Sequence, residues 1–384
     1  MNFSLTQEQA ELWDLLGRVG MEKFRPTAFD RRLVPWEKPA ENLKLLGELG
    51  ILGICIPEEF GGSGRPVIDG ILAIERITQC CPVTGNFVVM AMSGPASFIA
   101  KWGSEHLKKK YLPGTVSGTL TNSVSLSEAE AGSDLTALRT RAEIMGDRCI
   151  VNGSKIFCSQ ATTSDYFLVY VRFGAGSKGI GAVIVDRDTD GFKIGLMRTH
   201  MNNKPWCELQ FTNASIPKEN ILFPGEAFSK LMSSYSLERC SAAAMSLGVA
   251  KLALDMSLEY AESRRQFGRP ISEFQMTQER LADMYLRYEG ARLLVYKAAA
   301  SSELGTAQAL DSSMAKVAAT EAAAFICDQA MKVFGGGGMS SEMPLEWLYR
   351  YARTQWAAGG TNDIHRSMIA GALLGRRFDH RPGK

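Results

Sequence analysis

Ser236–Gly268 reads SLERCSAAAMSLGVAKLALDMSLEYAESRRQFG. It has no proline and one interior glycine, Gly248, and good helix formers dominate it. That pattern predicts one long helix with a stop at Gly268. The small-residue run Ser241–Ser246, SAAAMS, leaves room for a backbone or a ligand to come close. Glu238 near the start and Arg264 near the end then lie roughly 39 Å apart at about 1.5 Å per residue. One small-molecule site cannot use both. Either one of them is a surface residue, or the ligand is long, or the two serve different sites across a subunit interface.

Working outward from this helix, the texture changes twice. Residues 1 to about 120 carry apolar residues at helical spacing through Asn42–Leu52 and Asp69–Thr78, and HLKKKYL (His106–Leu112) reads as a helix end stopped by Pro113-Gly114. From Thr119 to about Ile221 the alternation has period two, in RCIVNGSKIFCSQ, YFLVYVRF, GIGAVIVD, GFKIGLM and CELQF, with Gly, Asn and Asp turns between. Pro224-Gly225 closes that region. Three helical patterns follow, roughly 226–266, 275–302 and 306–333, the last two joined through Gly305. Then come Phe334–Gly338 (FGGGG) and a shorter helical segment ending near Phe378. The fold class is α+β: an N-terminal helical domain (1–118), a middle antiparallel β domain (119–224) and a C-terminal four-helix bundle (225–384).

The 384 residues are 45% apolar, enough for a large core, and 43 basic against 41 acidic residues give a net charge of +2. That balance argues against a nucleic-acid or membrane surface. No stretch is expected to span a bilayer. The N-terminus reads as a capped amphipathic helix, with Ser4 or Thr6 as cap, rather than a targeting peptide. The eight cysteines have no CxxC spacing and the four histidines make no zinc pattern, so we expect no metal and a cytoplasmic location. Gly174–Gly179 (GAGSKG) matches the GxGxxG spacing, but a strand-like IGAVIV follows where a dinucleotide site needs a helix. It reads as a hairpin turn.

Seven segments in one order carry more: PEEFGGSG (57–64), KWGSEHLKKKYLP (101–113), SEAEAGSD (127–134), NGSKIFCS (152–159), RRQFGRPISEFQ (264–275), VFGGGG (333–338) and GGTNDIHR (359–366). With them the chain resembles the acyl-CoA dehydrogenase flavoprotein family from Phe3 to about Gly375. The resemblance implies FAD, lying between the β domain and the C-terminal helices, with Leu126, Ser127, Ser133, Phe157 and Ser159 on the flavin side. The family usually has threonine at Ser127 and tryptophan at Phe157, and the hydroxyl and aromatic face survive both changes. It also has a proline where Ala129 stands here, a loss that loosens the loop. Arg264, Phe267 and Gln275 match residues that hold the FAD of a neighbouring subunit, which would resolve the distance between Arg264 and Glu238. Lys332 stands at the family's glutamine before the glycine run, where it meets a phosphate as a point charge. Gly335, Gly336, Thr361 and Asp363 complete the implied cofactor contacts.

One departure bears on mechanism. Most members place a catalytic glutamate directly before Gly-Thr, and here Gly359 stands there, in Ala358-Gly359-Gly360-Thr361. A subset, the isovaleryl-CoA and long-chain types and carnitinyl-type relatives, carries the base on the long helix in a pattern like Leu237-Glu238-Arg239. The resemblance therefore implies Glu238 as base and the Gly359 N–H as donor to the thioester carbonyl. Ser133, Tyr235, Arg239 and Gly360 fall beside the substrate, with chain length set by Val83–Phe98 and the helix around Tyr235–Met245. The implied reaction is α,β-dehydrogenation of an acyl-CoA to the trans-2-enoyl thioester, with electrons passed to an electron-transfer flavoprotein. Two alternatives stand beside it. One is a carrier-protein-tethered acyl or aminoacyl substrate in secondary metabolism, suggested weakly by Pro205-Trp206-Cys207-Glu208. The other is a flavin-binding relative without dehydrogenase activity. A homo-oligomer is expected, a tetramer or a dimer.

Overall fold

The computed structural model describes residues 4–226, 228–302, 309–376 and 378. Helices come first: α1 (Gln7–Val19), α2 (Ala40–Glu48), α3 (Val67–Cys80), α4 (Pro82–Ser93), α5 (Pro95–Trp102) and α6 (Glu105–Val116). Strands follow: β1 (Asn122–Ser125), β2 (Arg141–Met145), β3 (Arg148–Ser159), β4 (Tyr166–Arg172), β5 (Ile180–Asp186), β6 (Phe192–Thr199), β7 (Pro205–Pro217) and β8 (Ile221–Phe223). After them come α7 (Phe228–Ser263), a short hairpin of β9 (Arg265–Gln266) and β10 (Arg269–Pro270), then α8 (Gln275–Ser301), α9 (Ala309–Phe334), α10 (Leu345–Thr354) and α11 (Asn362–Leu373). The predicted order of helices, then strands, then helices holds. Gly305, read as the joint between two helices, lies outside the described residues.

The chain forms two compact units that interleave in sequence. The first takes the residues up to Leu33, Val67–Asn86 and everything from Ser236 onward. Its centre is α7, whose Ala242, Ala243, Ala244, Leu247, Val249 and Ala250 are buried. Gly248 explains why that helix is built small. A Cβ there would sit 2.6 Å from the Glu75 carbonyl oxygen and 2.6 Å from Thr78 Cβ, so α3 presses directly on the α7 backbone. Glu75, fully buried, accepts from Tyr288 Oη at 2.5 Å and Tyr296 Oη at 2.9 Å and so ties α3 to α8. Burial raises its carboxyl above the usual range, the tyrosine hydroxyls working against that rise.

α1 begins with a capping box, in which Thr6 Oγ1 accepts from the Gln9 amide and the Gln9 side chain accepts from the Thr6 amide. α7, Phe228–Ser263, fills the predicted 226–266 pattern to within a few residues, but its stop is not Gly268. Phe267 (φ 51°) and Gly268 (φ 81°) instead form a two-residue turn closing the β9–β10 hairpin, and two consecutive positive φ values are the signature of a type I′ turn.

The second unit, Val34–Pro66 with Phe87–Tyr235, is built on the sheet, in the order β6-β7-β3-β2-β4-β5-β8 with β1 on β4. Most neighbours are antiparallel, as expected, but β1 pairs β4 in parallel along its whole length. β4 and β5 are buried on both faces, which is why they read as continuous apolar runs. Gly174–Gly179 connects this antiparallel pair through a single 3₁₀ turn, Ser177–Gly179, so the GxGxxG match is a hairpin. The expected stop at Pro113-Gly114 does not occur. Helix α6 runs on to Val116, because Pro113 falls in its last turn and only the carbonyl of exposed Lys109 loses a partner.

Against the expectation that no stretch could cross a bilayer, Pro82–Trp102 and Met232–Ser263 are long and apolar enough on composition alone. Their most apolar windows are 83% and 78% buried inside the protein, as in core helices.

Candidate active site

The first unit brings the predicted catalytic positions together. Glu238 is half-buried on α7 and its neighbour Arg239 is buried. A Cβ built on Gly359 would have Arg239 Cγ as its nearest neighbour, at 3.8 Å. The helical turn that carries Glu238 therefore lies against the loop whose family-type glutamate is missing. Gly359 (φ 64°) and Gly360 (φ 99°) adopt backbone angles that glycine alone takes without strain. Thr361 caps α11, its side chain accepting from the Ile364 amide, and Asp363 lies in that helix's first turn.

Two residues not anticipated from the sequence hold this loop. Lys316 on α9 is 0% exposed, and its Nζ donates to Trp356 O (2.7 Å), Gly360 O (2.8 Å) and Asn362 Oδ1 (2.7 Å). His365, also buried, lies 3.1 Å from Gly359 O through Nε2 and 3.2 Å from Ser313 Oγ through Nδ1. A carbonyl only accepts, so Nε2 carries the proton and Nδ1 accepts from the serine hydroxyl. Burial, with Arg239 and Lys316 nearby, pushes the imidazole down to about 4, so it is neutral at pH 7. The signal was present in SSMAKVAAT (312–320): one lysine on a helix face otherwise made of small residues.

At the other end of α7, Tyr260 stacks on Phe334 with ring centroids 3.9 Å apart. That contact brings Arg264, Phe267 and Gln275 to the same end of the bundle as Lys332, Gly335 and Gly336. A separation of about 38 Å along α7, at about 1.5 Å per residue, keeps this group away from Glu238. Phe267 is 93% exposed on its strained turn, and Arg264 and Gln275 are exposed beside it. A Cβ at Gly335, Gly336 or Gly337 would meet nothing within 4 Å. The backbone there is open to a ligand, and the predicted cation stands beside it. Lys332 is engaged by Asp328, 2.7 Å away on the same helix.

In the second unit a β-bulge shifts the β3–β7 register between Lys155 and Cys158. Phe157 sits in it at φ 56°, a left-handed conformation costing about 1–2 kcal/mol for a residue with a side chain. Its ring is 52% exposed yet packs at 4.6 Å on Trp206, leaving an aromatic face in solvent. Ser127 O accepts from the Ile156 amide at 2.9 Å, which sets the serine beside this bulge, while Ser133 stands exposed in the loop beyond. Ser159 O accepts from Ser123 Oγ. Beneath, Lys155 is 0% exposed and donates to Leu126 O (3.1 Å) and Glu128 Oε1 (2.7 Å). Glu128 also accepts from the Arg139 and Thr140 amides, at 2.6 and 2.9 Å. Burial lowers Lys155 to about 8, with Glu128 opposing the fall. This buried pair fixes the Leu126–Glu128 turn even though the family's proline is absent. Tyr235 is buried in this unit, its ring 6.5 Å from Phe98 and 6.4 Å from Tyr170.

These residues suit FAD. A planar ring needs an exposed flat aromatic with hydroxyls nearby, and a pyrophosphate needs a cation and unobstructed backbone. Both sets are present.

Comparison with known proteins agrees. The acyl-CoA dehydrogenase N-terminal, middle and C-terminal domain families match residues 6–119, 123–214 and 227–374. Glutaryl-CoA dehydrogenase of Desulfococcus multivorans is 36% identical over 99% of this chain and 100% of its own. Butyryl-CoA dehydrogenase from Megasphaera elsdenii superposes with a TM-score of 0.92 at 33% identity, over 97% of this chain and 100% of that one. PigA with FAD and proline superposes at 0.91 with 27% identity, over 98% and 99%. The chain belongs to the acyl-CoA dehydrogenase family of oxidoreductases.

Proposed function

We propose that the protein catalyses α,β-dehydrogenation of an acyl-CoA thioester, with Glu238 as base. The observation that carries this is the approach of Arg239 to Gly359, where an added Cβ would lie 3.8 Å from Arg239 Cγ, the half-buried Glu238 being the neighbour of that arginine on α7. FAD, the cofactor of this family, would supply the acceptor for the β-hydride. The Gly359 N–H donates to the thioester carbonyl and stabilises the negative charge that grows there as the α-proton leaves. Glu238 takes that proton, and the double bond forms between Cα and Cβ. Tyr235, Arg239, Gly360 and Ser133 border the substrate. Leu126, Ser127, Ser133, Phe157, Ser159, Thr361 and Asp363 would hold the flavin, and Arg264, Phe267, Gln275, Lys332, Gly335 and Gly336 would hold the pyrophosphate and adenosine of a neighbouring subunit's FAD. That arrangement requires a homo-oligomer, a tetramer or a dimer. The division at 118/119 and 224/225, an electron-transfer flavoprotein as acceptor and a cytoplasmic location belong to the same reading.

The test is anaerobic mixing of holoprotein with saturated acyl-CoAs of graded length, following bleaching of oxidised flavin. Bleaching by one chain class supports the proposal. Bleaching only by an acyl or aminoacyl carrier protein moves the substrate to a tethered thioester. Bound flavin that no thioester bleaches refutes dehydrogenation.

A further inference from the structure

Two adjacent glycines have the greatest backbone freedom of any dipeptide, yet the proposed carbonyl donor sits in one. Something must hold them. Lys316 Nζ grips the loop on both sides of Gly359, at Trp356 O and at Gly360 O, and its third partner, Asn362 Oδ1, begins α11. Asn362 closes the loop further, its amide donating to Trp356 O at 3.2 Å and its Nδ2 to Thr320 Oγ1 at 3.0 Å. Three acceptors match the three N–H bonds of an ammonium and exceed the two of a neutral amine. The charged groups around it are Arg239 on α7, Glu321 on α9 and Asp363 on α11, with the neutral imidazole of His365 also on α11. Burial and Arg239 lower the ammonium to about 7, against Glu321 and Asp363.

We propose that Lys316 is a positioning residue, whose clamp on the Trp356 and Gly360 carbonyls holds the Gly359 N–H where the thioester carbonyl accepts it. This rests on the dehydrogenase reading above. Hydrogen exchange into residues 356–362, which needs no turnover, separates the two. In Lys316→Met holoprotein, exchange in that segment should rise at least tenfold with the rest of the bundle unchanged. Flavin content and substrate Kd should stay within threefold, and the bleaching rate should fall thirtyfold or more. Lys316→Gln, which keeps an uncharged NH2 with two N–H donors and serves if the methionine variant fails to fold, should fall between. Unchanged exchange in 356–362 overturns the clamp, as does a loss confined to flavin content or Kd. Raised exchange in a protein whose wild-type flavin no thioester bleaches, whether CoA-bound or carrier-bound, supports the clamp and overturns the dehydrogenase reading instead.

Discussion

Moving the proposed base from position 238 to position 359, beside Arg239, tests the site most directly. Removing a general base in Glu238→Gln should slow bleaching by about 10²–10⁴-fold. Adding Gly359→Glu supplies a carboxylate at the family's usual position. Space permits it, since the new Cβ meets only Arg239 Cγ, at an ordinary 3.8 Å. Backbone does not welcome it, because φ is 64° there and a left-handed residue with a side chain costs about 1–2 kcal/mol. At about 1.4 kcal/mol per decade, that strain costs roughly 5–30-fold. Glu238→Gln with Gly359→Glu should therefore bleach roughly 5–30-fold below wild type, and faster than Glu238→Gln alone. The assay is anaerobic stopped-flow with the best acyl-CoA at saturation, with flavin content checked in each variant. Glu238→Gln within threefold of wild type would refute Glu238 as base. A double variant with bound flavin but no recovery would refute the reasoning that the two positions face one α-carbon.

Two predictions concern stability. Gly248→Ala forces a methyl into backbone atoms of α3 and should cost about 1–3 kcal/mol, seen as a lower thermal midpoint, whereas Gly290→Ala, with nothing within 4 Å, should be neutral or slightly stabilising. If the two behave alike, close α3–α7 packing is not what requires glycine at 248. His365 titrates at about 4 when folded against about 6.5 unfolded, so between these values the unfolded chain binds more protons. Its contribution is complete above pH 6.5 and is lost as pH falls through 4, a difference of about 3 kcal/mol. His365→Asn should be less stable than wild type at pH 7 and should narrow that gap by pH 4.5 in denaturant titrations. A constant gap would contradict a neutral buried imidazole.

Much was legible from local pattern. Period-two alternation between helical segments gave the order of layers, and the lack of a helix after GAGSKG unmasked the hairpin. The small-residue run Ser241–Ser246 implied room for a backbone or a ligand, and the close approach that the structure shows is α3 on Gly248, two residues beyond that run. Helix ends were less legible: Gly268 turned out to close a hairpin, and Pro113 is carried inside a final turn where its missing hydrogen bond costs little.

The sequence by itself determined which residue types exist for chemistry: a carboxylate at 238, no side chain at 359, an aromatic at 157, a cation at 264. It could do so because spacing and residue type are properties of the chain. Only the tertiary structure decided that Arg239 lies beside Gly359, that the ends of α7 and α9 meet through Tyr260 and Phe334, and that Lys155 and Lys316 are struts rather than surface charges. A lysine looks the same in sequence whether it faces water or three carbonyl-type acceptors. Burial is a property of what distant segments bring to it.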